Sequence, residues 1–328
     1  MRILVSYSKI PASLGDYCVN ALRRLGHEVF THDYLGAAHA FGLAGHAVNK
    51  VVLKESLPNS QILAMSKRLE PDIILIMKGE VFEPRTISAL KEHAKVVNWC
   101  MDSPFHEKYS SLKVQKSIGL YDRFFTPVSD MERRLQSFGF DNARFLPFAC
   151  DPTVHKNVAL SEEEKNALGS DVCFVGTYYP EREILLSGLE KFGLKIWGNE
   201  WQRCTDKNVK KCATLRAANG TAMTKVFNAT RIAIGTHQEQ SMGSPTMRVF
   251  EAPACGTFML TDWRADLPMF FTSKEMASYK TKRELLEKTE YYLAHEKERK
   301  AMAKRAQTKA RKKHTYDIRM KQMIEELE

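Results

Sequence analysis

Short apolar runs of strand length recur along this chain, and almost every one is followed by a stretch of helical periodicity. Ile3-Leu4-Val5, Val29-Phe30-Thr31, Asp72 to Met77, Val96 to Cys100 and Phe124-Phe125-Thr126 are the runs of the first half. A strand that is apolar on both faces must be covered on both, which is the condition of a parallel sheet built from βαβ units. The segments between them read as helices. Cys18, Leu22 and Leu25 share a face ahead of Gly26, a residue suited to a C-terminal cap. Ser60 is placed to cap a helix carrying Ile62, Leu63, Ser66 and Leu69, and Pro84 fits a first helical turn before Ile87 and Leu90.

The pattern restarts after a turn-rich stretch, Pro147 to Pro152, and a polar helix at Ser161 to Glu164. Val172 to Val175 is a second opening strand, ending at Gly176-Thr177. Pro180 starts a helix with Ile184, Leu185, Leu189 and Phe192, closed by Gly193; Leu194 to Trp197, Ile232 to Ile234 and Phe258 to Leu260 follow as strands. At about 150 residues per domain, 328 residues suit two domains. The expected fold is therefore α/β, with two Rossmann-like, doubly wound domains around a central cleft and a helical C-terminal tail. The expected boundaries are 1–150, 151–296 and 297–328. In the tail, Met320, Met323, Ile324 and Leu327 form an apolar stripe that needs a partner, expected to be the first domain.

Charge is concentrated in that tail. The chain carries a net +10, and from Lys297 to Lys321 eleven basic residues face two acidic ones. A solvated helical face, an anionic membrane surface and nucleic acid are the three readings of such a segment. Seven scattered cysteines without a C-x-x-C pair argue against a disulfide framework or a zinc ribbon and for a reducing compartment. No signal peptide or membrane span is expected, so the expected location is cytoplasmic, at most peripheral at the inner face of a membrane.

The strongest local signal runs from Met247 to Gly256, ahead of the strand Thr257 to Thr261. Ser244, Pro245 and Thr246 resemble a helix start, with Ser244 as the capping residue. N–H groups at such a start attract phosphate, and Arg248 one turn in adds a charge-assisted contact. Glu251, three residues on, shares its face and could accept two ribose hydroxyls, or simply pair with Arg248. The segment Arg248-Val249-Phe250-Glu251 with Ala254-Cys255-Gly256 resembles the R-x-F-E-x-x-A-x-G motif of CgeB-type, spore-maturation-protein-like glycosyltransferases of the GT-B fold. Phe174-Val175-Gly176-Thr177 with Arg182, Leu146-Pro147 through Asp151-Pro152, and His314-Thr315-Tyr316 with Arg319 are similar to further stretches of that group, in order. Pro253 departs from the pattern and would kink or shorten its helix.

The resemblance implies a metal-independent glycosyltransferase, without cofactor, moving a hexosyl or related group from a nucleotide-diphosphate sugar to an acceptor hydroxyl. Polysaccharide, a lipid-linked saccharide or a protein would be the acceptor. It implies donor binding by the second domain: Glu251 on the ribose, Arg248, Ser244 and Thr246 on the diphosphate, and Gly176, Thr177 and Arg182 at the end of the first strand. His237, at the end of a strand region, could reach the same place. In the first domain Asp102, where a strand runs into Ser103-Pro104, is the candidate base, with His106 to orient or replace it; a turn-forming aspartate is the plain alternative. Ser13, Gly15 and Asp16 are weaker candidates for a loop contacting the acceptor. Trp197 and Trp201 could stack on a base or pack in the core. Two rivals stand beside this expectation: a phage-type enzyme glycosylating a modified DNA base, and a non-catalytic scaffold using the basic helices.

Overall fold

The computed structural model describes residues 1–10, 12–36, 57–106, 110–237 and 243–328. The strands are β1 (Arg2–Tyr7), β2 (Glu28–Asp33), β3 (Ile73–Met77), β4 (Lys95–Trp99), β5 (Arg123–Thr126), β6 (Ala143–Phe145), β7 (Ser170–Val175), β8 (Leu194–Trp197), β9 (Thr230–Gly235), β10 (Phe258–Asp262) and β11 (Ala277–Tyr279). They form two sheets, ordered β2-β1-β3-β4-β5-β6 and β11-β10-β9-β7-β8, and every pairing is parallel. The uniformly apolar β3 is buried at all five positions, as a central parallel strand must be. β6 and β11, three residues each, are edge strands that no apolar run announced.

Contacts divide the chain into two units. One comprises Met1–Pro147 and Tyr316–Glu328, and Ser244 counts with it; the other comprises Phe148–Gln238 and Pro245–Thr315. The basic helix Glu296–Lys313 stays with the second unit, packed on the helix Arg248–Ala254 and on β10, and only the following helix, Tyr316–Glu325, belongs to the first. Within the first unit that last helix lies on Leu14–Arg24. Tyr316 stacks on Tyr17 and meets Trp99 edge-on, with ring centroids 5.7 and 6.4 Å apart. Met320 and Met323 are fully buried, and Arg24 grips the Asp317 carboxylate with two hydrogen bonds of 2.7 and 2.9 Å. In the second unit the Glu296–Lys313 helix buries Met302, Ala303, Ala306 and Ala310 and exposes Lys297, Lys300, Lys304, Arg305 and Arg311 to Lys313.

Two local expectations are corrected, and a third, the short helix at Pro253, is met. Ser60 lies inside the helix Leu57–Leu69, where its hydroxyl donates to the Leu57 carbonyl instead of capping. The helix opened by Pro180 ends at Leu186, because Gly188 turns the chain through positive φ; Glu190–Phe192 is a separate 3₁₀ turn. Pro253 sits within Arg248–Ala254, and the helix closes one residue later.

Candidate functional site

In the second sheet the strand order reverses between β7 and β9. Connections therefore leave to opposite faces there, and the carboxyl ends of strands at such a switch point are where ligands bind in parallel α/β sheets. The residues that follow β7 are spent on building that end. The Val175 carbonyl accepts from Arg248 Nε (3.4 Å), Gly176 O from Trp201 Nε1 (2.8 Å), and Thr177 O from Arg182 Nη1 (2.6 Å). A Cβ on Gly176 would lie 2.8 Å from the Phe174 ring and 3.2 Å from Arg182 Nη1, so only glycine leaves the guanidinium where it is. Gly198 is equally constrained: its Cβ would fall 1.9 Å from the Gly176 carbonyl oxygen. Trp201 is fully buried, edge-on to Phe174 and Tyr178, which makes it a core residue; Trp197 is buried beside it in sequence.

Arg182 is held at this point by neutral groups. Its Nε donates to Thr236 Oγ1 (3.2 Å), and the guanidinium lies over the rings of Phe174 and Tyr179 at 5.2 and 5.1 Å. Among the described residues no carboxylate pairs with it. Burial brings its pKa down to about 10, and the charge of Arg248 acts in the same direction. Two neighbouring cations, one of them partly desolvated and, among the described residues, not paired directly with a carboxylate, create a local demand for an anion.

Arg248 carries its own counter-ion. Its Nη1 donates to Glu251 Oε2, so the pair foreseen from the i, i+3 spacing exists. Glu251 is wholly buried, whereas the Arg248 side chain keeps 29% of its exposure. The second carboxylate oxygen, Oε1, has no hydrogen-bond partner among the described residues and lies 3.6 Å from His155 Nε2. His155 Nδ1 accepts the Asp151 N–H (3.0 Å), which puts the ring proton on Nε2, facing Glu251. Burial lowers the pKa of His155 more than the nearby carboxylate raises it.

His237 has both ring nitrogens engaged. Nε2 accepts the N–H of Thr246 (2.8 Å), so Nδ1 carries the proton and donates it to Asp262 Oδ1. Asp262 also accepts from Arg264 Nε and Nη2 at 3.0 and 2.6 Å. Burial opposes ionisation of this carboxyl, but the His237 and Arg264 donors outweigh it and hold its pKa below the usual range. His237 thus fastens the backbone at Thr246, and the N–H expected there for a phosphate is already used. The expected cap at Ser244 is not formed either. The helix begins at Arg248 with Met247 preceding it and no side-chain cap, and the buried Ser244 hydroxyl has no partner among the described residues.

In the first unit, Asp102 Oδ2 lies 3.3 Å from Lys78 Nζ, whose other carboxylate partner is Glu80 at 3.5 Å. Lys78 itself stands at φ 64°, a left-handed conformation rare for a lysine, just where β3 ends. The Asn98 side chain and the Trp99 carbonyl hold its backbone there, at 3.0 and 2.9 Å. His106 lies on a turn closed from its N–H to Ser103 O (3.2 Å). Ser13, Gly15 and Asp16 serve local structure. Ser13 and Asp16 form a capping box, Asp16 also accepts the Tyr7 hydroxyl (2.8 Å), and a Cβ at Gly15 would enter the Tyr7 ring.

Residues 182–325 match the family described as glycosyl transferase-like. The chain is also 24% identical over 264 residues to the spore protein CgeB of Bacillus subtilis, covering 75% of this chain and 80% of that one. The chain is thus similar to CgeB, and its residues 182–325 to glycosyl transferase-like domains. Solved structures give the fold. Sucrose-phosphate synthase from Thermosynechococcus elongatus superposes with a TM-score of 0.71 at 13% identity, over 99% of this chain and 97% of the other. Anabaena HepE in complex with UDP-glucose gives 0.69 at 12%, over 100% and 99%. A glycosyltransferase from Rickettsia africae gives 0.69 at 11%, over 99% and 97%. The chain thus has the GT-B fold, and Gly176, Arg182, Arg248 and Glu251 lie within or just before the matched residues 182–325. Sequence reasoning did not single out His155, Thr236, Asp262, Arg264 or Lys78. Asp262 and Lys78 had a usable signal, since each stands at or just after the carboxyl end of an apolar strand.

Proposed function

We propose that this protein transfers a hexosyl or related group from a nucleoside-diphosphate sugar to an acceptor hydroxyl. The observation that supports it best is the half-buried Arg182, without a carboxylate partner among the described residues, beside Arg248 at the switch point of the second sheet. The departing nucleoside diphosphate is the anion such a pair fits, and charge developing on it is what the reaction has to stabilise. Two arginines supply that stabilisation without a divalent ion, in keeping with a metal-independent reaction. Glu251, with one free oxygen, would take the ribose. Asp102 of the first unit would remove the acceptor proton, with Lys78 fixing its carboxylate. A polysaccharide, lipid-linked saccharide or protein would present the hydroxyl.

Thermal unfolding of the wild type and Glu251→Ala with UDP, GDP, dTDP and CMP tests the donor class. A nucleotide at 100 times its Kd stabilises by about 2.7 kcal/mol, raising Tm by a few degrees. One nucleotide should shift the wild type and leave the variant unmoved. No shift from any of the four, with or without Mg²⁺, rules the donor assignment out.

A further inference from the structure

The ion pair that holds Glu251 also hides it. The carboxylate is fully buried, one oxygen is bound by Arg248 and the other has no hydrogen-bond partner among the described residues, and a ribose hydroxyl arriving alone would find no accessible acceptor. Arg248 is the exposed member of the pair, and its neighbour Arg182 is a second cation that no carboxylate pairs with among the described residues. We propose that Arg248 is a specificity-determining latch: a diphosphate draws its guanidinium off Glu251, and only then can Glu251 accept the ribose. This rests on the donor assignment above.

Several features make the exchange feasible. Removing a cation from a buried carboxylate is ordinarily costly, because the remaining charge is uncompensated. Here His155 Nε2 carries its proton 3.6 Å from Oε1, the oxygen that Arg248 does not bind, and gives the carboxylate a second donor to close on. Beyond the pair, Arg248 is tied among the described residues by a long 3.4 Å hydrogen bond to the Val175 carbonyl. The latch makes the two halves of a nucleotide help each other. Phosphate occupancy frees the carboxylate, ribose occupancy frees the guanidinium, and by linkage the two effects are equal in size. A free nucleoside, offering only the ribose, would be rejected, and an enzyme so built would not be blocked by nucleosides lacking phosphate.

The test uses uridine and inorganic pyrophosphate as separate probes on the full chain, by calorimetry. Saturating pyrophosphate should tighten uridine roughly fivefold or more. The coupling should vanish in Arg248→Met. In Glu251→Gln, whose amide cannot hold the guanidinium as an ion pair, pyrophosphate alone should bind several-fold tighter than to the wild type. Uridine affinity that pyrophosphate leaves unchanged or weakens overturns the latch, and so does weaker pyrophosphate binding by Glu251→Gln. These measurements need no Arg248 variant, so loss of folding in Arg248→Met leaves them decisive. If UDP shifts the wild-type Tm but the probes do not couple, only the latch fails. If neither probe binds and none of UDP, GDP, dTDP and CMP shifts the Tm, the donor assignment fails and the latch with it.

Discussion

Asp102 does not stand alone, and its chemistry has to be judged with Lys78. The lysine reaches the carboxylate from a left-handed backbone position, and such positions cost of order 1–3 kcal/mol unless the surroundings impose them. Burial works against the Lys78 charge, but Glu80 and Asp102 overcome it and raise the pKa of the ammonium. If Asp102 is the base, Asp102→Asn should lower kcat by roughly 10²–10⁴-fold with KM little changed. Full turnover by that variant would remove the assignment, and steady-state kinetics with a defined donor and acceptor decide it. What was legible at this scale was residue type and position. Asp102 at a strand end, and Glu251 one helical turn from Arg248, both stood out because strand ends and i, i+3 spacing are local properties. Burial was not legible. Nothing within a few residues of Glu251 says that it is enclosed, and His155 reaches it from nearly a hundred residues earlier in the chain.

At the scale of elements, the helix Pro180–Leu186 presents more than Arg182 to its neighbours. Glu183, one residue on, accepts the Tyr178 hydroxyl (2.8 Å), the Thr205 hydroxyl (2.6 Å) and the Thr205 and Asp206 N–H groups (3.1 and 2.7 Å). One carboxylate thus ties the helix to the turn that precedes Lys207–Lys211. Desolvation pushes its pKa up, but the four donors prevail and bring it to about 2, from an ordinary 4.5. A carboxyl depressed on folding contributes stability above its unfolded pKa and loses it as the pH falls through the folded one. Acid titration of Tm should therefore show a loss between about pH 4.5 and 2 that is smaller in Glu183→Gln. At pH 7, Glu183→Ala should cost about 1–3 kcal/mol, since it strands two backbone donors; a near-neutral denaturant midpoint would argue against the clamp. Such ties explain where the sequence pattern ran out. Central strands showed as apolar runs, while the end of the Pro180 helix depended on the backbone turn at Gly188, and the start of Arg248–Ala254 on His237, which Asp262 holds from another strand end.

Across the whole molecule, two parallel sheets were readable from the restart of the βα pattern at Val172, because each sheet repeats the same burial logic. The route of the last helix was only half written. Its stripe of Met320, Met323 and Ile324 called for a partner, but the change of unit between Thr315 and Tyr316 has no counterpart in composition. Deleting residues 316–328 should destabilise the first unit selectively. Tyr316, Met320 and Met323 are fully buried, at about 1.5–3 kcal/mol for each large apolar side chain. Differential scanning calorimetry should then show a transition lowered by several degrees beside one that is unmoved. A single unchanged transition would mean that the helix adds little.

The same route has a consequence for how the protein is made. The first sheet leaves the ribosome early, yet the helix that covers Tyr17 and Trp99 is translated only after residues 148–315. At ~5–20 residues per second, that is a wait of roughly 10–30 s with an apolar face uncovered. The second unit contains its elements without interruption by the first one's helix, and so can finish folding before the unit that began it. Synthesis order and completion order are reversed, and a nascent chain stalled short of Tyr316 would expose the Tyr17 face to chaperones.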